Sequence, residues 1–523
     1  MRTVSVSGRL FKSTAVVGSM TLISRLLGFI RDMLIARLFG VDLATDAFFV
    51  AFKIPNFLRR LFAEGAFAHA FVPVLADYKE QGTKAALKLF IDKTAGTLTV
   101  CLLLITLIGI VLAPVLILLL APGFSWQGTQ HDLSVWMLQI TFPYLLFISL
   151  TAFAGSILNA HGKFAVPALT PVFLNICMII TAIWLAPLME TPVIALAWGV
   201  FIAGIVQLLF QILPLIRLGL LPRPRIDFQD TGVKRVLGLM LPAMFSVSVT
   251  QINLLLDTLI ASFLTTGSVS WLYYSDRLVE FPLGILGLAL GTVILPSLAN
   301  NHAAEDATTF SNSLDWGLRL VLLVGMPATI GLFMLAEPML STLFQYKEFS
   351  INDVHLAGQS LRAYAVGLLG YLLIKVLVPA FTSRQEVKTP VRYGMVAMGV
   401  SLALNVALVF PFAHAGLALA TSLGAFFNAA LLLKKLLKDK VYQPATGWLL
   451  FFARVVLAST AMTAVLYYWV DAEWWNAWSA TERVINLLKW IAVAMSIYTV
   501  SLLITGLKIK HLTVLTGTTE KNP

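Results

Sequence analysis

Residues 98–122 read LTVCLLLITLIGIVLAPVLILLLAP, without a single charged side chain. A helix crosses the hydrocarbon core of a membrane with about 20 mostly apolar residues, so this stretch belongs to a transmembrane span, placed at 90–121. Working outward on the same criterion gives spans near 12–37, 45–76, 133–158, 164–187, 191–216, 233–264, 269–299, 314–343, 353–382, 390–411, 414–437, 447–469 and 484–507. The pattern predicts an all-α polytopic membrane protein with about fourteen transmembrane helices. Composition agrees. Of 523 residues 59% are hydrophobic and 12% charged, about half the charged fraction of a soluble protein.

The formal charge is +11, which raises the question of nucleic acid. The cations sit instead in short connections on alternate sides. Arg2, Arg9 and Lys12, then Lys79, Lys84 and Lys88, then Arg217, Arg223, Arg225, Lys234 and Arg235 fall on one side. Arg384, Lys388 and Arg392, the Lys434–Lys440 cluster, Lys508 and Lys510 continue it. Connections on the other side carry almost none, Lys347 and Arg483 being exceptions. The positive-inside rule then puts both termini in the cytoplasm, and no nucleic-acid partner is expected. The basic start MRTVSVSGRLFK precedes an apolar stretch interrupted by Arg25 and Arg31, so it reads as a retained first helix and not a signal peptide. Cys101 and Cys177 lie inside apolar runs and make no metal or disulfide framework.

The halves repeat at an offset of about 224 residues. Asp32 matches Asp257, Lys53 matches Arg277, Phe57 matches Phe281, Pro73 matches Pro296, and LAP at 112–114 matches LAE at 335–337. Six spans per half give both the same orientation, a parallel pseudo-twofold repeat, the class in which the site lies between halves near the midplane. The expected organisation is a cytoplasmic tail (1–11), a six-helix bundle (12–219), a cytoplasmic linker (220–232), a second bundle (233–440), two additional helices (447–507) and a cytoplasmic tail (508–523).

Several spans carry charges that lipid does not tolerate: Arg25, Arg31, Asp32 and Arg37; Lys53, Arg59, Arg60 and Glu64; Asp257, Asp276, Arg277 and Glu280. A charge at the bilayer centre costs about 2.5–3.5 kcal/mol on the lenient scale, so these spans are expected to line a hydrated cavity. Arg60 and Glu64 are spaced to pair, and Arg277 with Glu280, and Asp276 with Glu280, to form a gating or structural network. Arg37 and Lys53 are placed to snorkel. For Arg25, Arg31, Arg59 and Arg277 the nearby carboxylates are too few, and guanidinium matches a phosphate fork. An anionic, phosphorylated substrate is expected. Gly28, on the face of Arg25 and Asp32, would admit a helix or substrate closely. No GxxxxGK[ST], HExxH or Ser/His/Asp pattern points to an enzyme.

SRLLGFIRD at 24–32, ATDAFFVAFKIPNFLRRLFAEGAFAHAFVPV at 44–74 and WLYYSDRLVEFPLGILGLALGTVILPSL at 271–298 closely resemble the MurJ (MviN) lipid II flippases, as does KTPV at 388–391. The resemblance spans essentially the whole chain. It implies a member of the multidrug/oligosaccharidyl-lipid/polysaccharide exporter superfamily. Such a protein carries lipid II, the undecaprenyl-pyrophosphate-linked peptidoglycan precursor, to the periplasmic leaflet by alternating access, in contact with membrane lipids and as a monomer. It implies functional roles for Arg25, Arg31, Asp46, Arg59, Arg277 and Glu280, and a lipid-tail groove in the added helices. It also implies a sodium site at Asp257, Ser401, Asn405 and Thr421. A cation-coupled multidrug or polysaccharide-lipid exporter of the same superfamily is the alternative, though a multidrug antiporter would show twelve spans and an acidic or aromatic cavity.

Overall fold

The computed structural model describes residues 6–61, 67–125, 128–303 and 306–507, and every regular element among them is helical. The chain forms two compact units, Met1–Ser270 and Trp271–Pro523. The first holds α1 (Val6–Phe39), α2 (Leu43–Arg59), α3 (Phe67–Gln81), α4 (Lys84–Val111), α5 (Ala113–Leu120), α6 (Thr129–Thr141), α7 (Tyr144–Ala160), α8 (Ala165–Ile180), α9 (Ile194–Arg217) and α10 (Thr231–Ala261). The first turn of α11 (Ser268–Ala303) closes it. The second holds the rest of α11, then α12 (Ala307–Met334), α13 (Ala336–Leu343), α14 (Ile351–Thr382), α15 (Lys388–Lys438), α16 (Trp448–Trp469), α17 (Ala472–Ala477) and α18 (Ala480–Ile504). Among the described residues nine helical segments are long and apolar enough to cross a membrane.

Several predicted spans are divided. The stretch 45–76 carries α2 and α3, with residues 62–66 outside the described ones, and 90–121 divides into α4 and α5 with a break at Leu112 (φ −85°, ψ 4°). The cause is Pro114, which has no N–H to return to Ile110. The Gln139 side-chain amide donates to that carbonyl instead, at 3.4 Å. The stretch 314–343 divides likewise at Leu335 (φ −97°, ψ 18°), three residues before Pro338. α4 and α12 are both 28 residues long, and α5 and α13 both eight. The two helix pairs thus agree in length and in the position of the break, at Leu112 and Leu335. By contrast, Pro282 lies inside the unbroken α11. α15 turns back at Ala413 (φ 47°), bringing Gly424 against Ser401.

Each unit also pins the segment that comes after one of its long helices. In the first, the buried carboxylate of Asp92 on α4 accepts the Arg223 N–H at 2.7 Å, and its own carbonyl accepts the Arg225 N–H at 3.0 Å. Gly96 makes room, since a Cβ there would fall 2.2 Å from the Arg225 carbonyl oxygen. Lys93 pairs with Asp227 and Asp230, both at 2.9 Å, and Asp230 caps α10 through the Gly232 and Val233 N–H groups. In the second unit Asp315 on α12, 223 positions beyond Asp92, plays the same part. Its Oδ1 accepts from Tyr442 Oη (2.7 Å), Ala445 N (3.1 Å) and Trp448 Nε1 (2.6 Å), while Arg319 holds Oδ2 at 2.7 Å.

The exception at Arg483 has a structural reason. Its guanidinium is buried and donates to the carbonyls of Trp475 (2.7 Å), Trp478 (3.1 Å), Ser341 (3.2 Å) and Gln345 (3.1 Å). These are carbonyls at or beyond the ends of α17 and α13, where a cation meets the negative end of the helix dipole. Arg483 fastens α18 to the neighbouring turns and is no free loop charge.

Candidate functional site

The cations of α1 are not equivalent. Arg25 is exposed. Arg31 is buried, its Nε and Nη2 donating to Asp32 Oδ1 at 2.9 and 2.7 Å and its Nη1 to Asn175 Oδ1 of α8 at 3.0 Å. Asn175 in turn donates to the Ser24 carbonyl at 3.0 Å. Asn175 packs over Gly28, where a Cβ would meet both polar atoms of the amide at 3.6 Å, an ordinary contact. The close approach expected at Gly28 is therefore that of α8. Sequence reasoning passed over Asn175, although an amide inside an apolar span was the available signal.

On α2, Arg59 donates from Nε (3.2 Å) and Nη2 (2.8 Å) to Asn56 Oδ1, one turn back. Arg60 is half-buried, and Glu64, expected to pair with it, lies outside the described residues. Asp46, in the first turn of α2, is buried and accepts from Gly267 N (2.6 Å), Ser270 N (2.9 Å) and Ser270 Oγ (2.6 Å). Its carboxylate thus caps the start of α11, where unpaired N–H groups and the helix dipole both favour an anion.

In the second unit Arg277 Nη1 donates to Glu280 at 2.6 Å, with its guanidinium 4.8 Å from the centre of the Tyr273 ring. Asp276, next to it, is half-buried. Ser401 and Asn405 are buried on one face of α15, Ser401 Oγ donating to the Ala420 carbonyl at 3.4 Å, and Thr421 is half-buried beside it. Asp257 is buried on α10 of the first unit. Among the described residues no three His, Cys, Asp or Glu side chains gather as a metal site.

An apolar groove of about 510 Å³ runs between α11, α12 and α18, lined by Phe281, Pro282, Leu323, Pro327, Tyr498 and Leu502 among others. Tyr498 Oη satisfies itself on the Leu323 carbonyl at 2.8 Å and leaves the walls non-polar. Of the two added helices, α18 supplies a wall. α11 contributes Phe281 to the groove and Arg277 to the ion pair one turn earlier.

The chain matches the family described as "Lipid II flippase MurJ" over residues 35–489. It belongs to the MurJ family. A curated relative from Vibrio cholerae, described as "Probable lipid II flippase MurJ", is 46% identical over 97% of this chain and 98% of its own. The "Lipid II flippase MurJ" of Burkholderia cenocepacia is 42% identical over 89% and 91%. Among solved structures, a MurJ in an inward closed conformation superposes with a TM-score of 0.78 at 27% identity, over 94% of this chain and all of that one. An inward-facing multidrug MATE transporter shares the fold, with a TM-score of 0.69 at 13% identity. As a MurJ-family protein with these helices, the chain is a multi-pass membrane protein.

Proposed function

We propose that this protein is a lipid II flippase, moving the lipid-linked peptidoglycan precursor from the cytoplasmic to the periplasmic leaflet of the bacterial inner membrane. The carrying observation is the near end-to-end match, at 46% identity, to a probable lipid II flippase. The long apolar helices with cations inside them fit an anionic cargo. Arg25, Arg31 and Arg59 on the first unit and Arg277 on the second are assigned to the pyrophosphate and other anionic groups. Asp46, Glu280, Asp276, Arg60 and Glu64 are assigned to gating or charge networks, and the α11/α12/α18 groove to the polyprenyl tail.

The topology proposed is fourteen crossings with both termini cytoplasmic. Nine apolar segments supply ten crossings once α15 counts twice at its Ala413 turn, and α1, α2 with α3, α10 and α11 supply four. Six crossings per half give a parallel repeat, with α16 and α18 outside it. The protein works as a monomer. With no nucleotide-binding loop in the sequence, the driver proposed is the membrane potential, worth about 2.3 kcal/mol per unit charge per 100 mV. Sodium, through the Asp257 carboxylate with neutral oxygens at Ser401, Asn405 and Thr421, is the competing driver.

The test is translocation of lipid II in proteoliposomes, with potential and sodium gradient set independently. Flipping by the unsubstituted protein, lost in Arg25→Ala and Arg277→Ala at normal protein levels, is expected. Export of a cationic drug without lipid II movement would instead favour the multidrug reading. Flipping that needs sodium at zero potential and fails in Asp257→Asn would replace the potential by sodium.

A further inference from the structure

Lys375 is a cation in the body of an apolar span that none of the assignments above uses. It lies two turns before the end of α14, and it is exposed. About 10 Å of helix separates it from that end, farther than a snorkelling ammonium reaches easily. Among the described residues it has no carboxylate partner. A lone charge at such depth is costly unless it meets water or an anion.

Its stem lies on α11. A Cβ at Gly287 would sit 3.8 Å from Lys375 Cγ and 4.0 Å from Cδ and Cε, and the same position at Gly291 has nothing within 4 Å. Arg277, Glu280, Gly287 and Gly291 succeed one another at spacings of three, seven and four residues, so they share a face of α11. That face bears the Arg277 guanidinium, held on one side by Glu280, near its start, an ammonium beside it almost three turns later, and bare backbone at the two glycines. A helix surface without side chains lets a bulky polar group come close, and two cations about 15 Å apart along it suit a ligand with separated negative groups.

We propose that this face of α11 is an anion-binding track for the transported headgroup, with Lys375 holding a phosphate or carboxylate distinct from the one at Arg277. The proposal rests on the flippase reading. Its test uses the full chain in nanodiscs, titrated with a short-chain lipid II analogue and, separately, with phosphatidylglycerol. Lys375→Gln should weaken analogue binding about tenfold, the worth of one charge-assisted hydrogen bond, and Lys375→Arg should recover most of it. Gly287→Val should weaken it too by filling the track, while phosphatidylglycerol binding stays unchanged in all three. Lys375 is exposed, so unchanged thermal melting is expected of Lys375→Gln. Wild-type analogue affinity in that variant would overturn the proposal, as would loss of phosphatidylglycerol binding alone, which would make Lys375 a lipid-headgroup contact. Failure of the unsubstituted protein to bind the analogue would overturn the flippase reading itself.

Discussion

Asp46 takes two hydrogen bonds from Ser270, one from its backbone N–H at 2.9 Å and one from its hydroxyl at 2.6 Å. With the Gly267 N–H at 2.6 Å, the carboxylate satisfies three donors at the start of α11. Asp46→Ala leaves all three without it inside the protein. A loss of about 2 kcal/mol or more is expected, read as a lower melting temperature in detergent. A cysteine placed at position 267 should also become more reactive to aqueous thiol reagents. Unchanged melting and reactivity would show that the cap does not hold this end of α11.

Asn175 gives Arg31 its oxygen acceptor from α8. Asn175→Leu keeps the volume and removes that acceptor, at an expected cost of about 1–3 kcal/mol, with looser attachment of α8 to α1. Asn175→Asp keeps the acceptor for Arg31 but loses the amide donor to the Ser24 carbonyl, so an intermediate loss is expected. Distance distributions from double electron–electron resonance between labels on the two helices should broaden most in the leucine variant.

Arg483 holds four carbonyls with one planar group. Arg483→Lys cannot reach them all, because an ammonium lacks the fork. Hydrogen exchange across 472–482 should rise, while exchange in α4 stays as it was. Equal protection in both proteins would mean that the buried Trp475, with its indole on Thr342 at 3.0 Å, suffices to hold the segment.

The pinned segment after α9 is acid-sensitive. The Lys93 ammonium beside Asp227 holds that carboxylate below its ordinary range of about 3.8. A depressed carboxylate stabilises the folded arrangement above its unfolded pKa, and the contribution disappears as pH falls through the lower folded value. The segment should therefore be held firmly at pH 7 and loosen below about pH 4. A spin label at the exposed position 226 should gain mobility over that range, and Lys93→Ala should be mobile at every pH. A pH-independent spectrum in the native protein would rule out this pairing as the anchor.

Thr499 and Leu503 face the apolar groove from α18. Tryptophan at either position fills space assigned to an isoprenoid chain. Translocation of a long-chain substrate should fall several-fold more than that of a short-chain analogue. Equal inhibition would make α18 a structural brace.

Much of this architecture is legible in the sequence because hydrophobic length is itself the structural variable: α4, α9 and α18 can be read directly from apolar runs. The breaks at Leu112 and Leu335 are marked in the sequence only by Pro114 and Pro338, which a count of apolar length passes over. Arg25, Arg31, Arg59 and Arg277 stand out by cost alone, whatever fold surrounds them. What each touches depends on residues far along the chain, as Arg31 does on Asn175, and one sequence does not rank such pairs. Arg483 was visible only as a breach of the charge rule, and the breach turned out to mark a buried fastening.

The pinning aspartates also bear on how the protein is made. Asp92 is synthesised about 130 residues before the Arg223 N–H that it accepts, and Asp315 about as far ahead of Tyr442 and Trp448. A nascent chain that has released α4 through α9 still lacks these donors, with only Lys88 at hand for Asp92. Each of these two aspartates is therefore completed only when the stretch that leads into the next helix has been made. Synthesis in this order lets a connecting stretch latch onto finished helices before later helices emerge, which favours closure of early contacts over pairing with late ones.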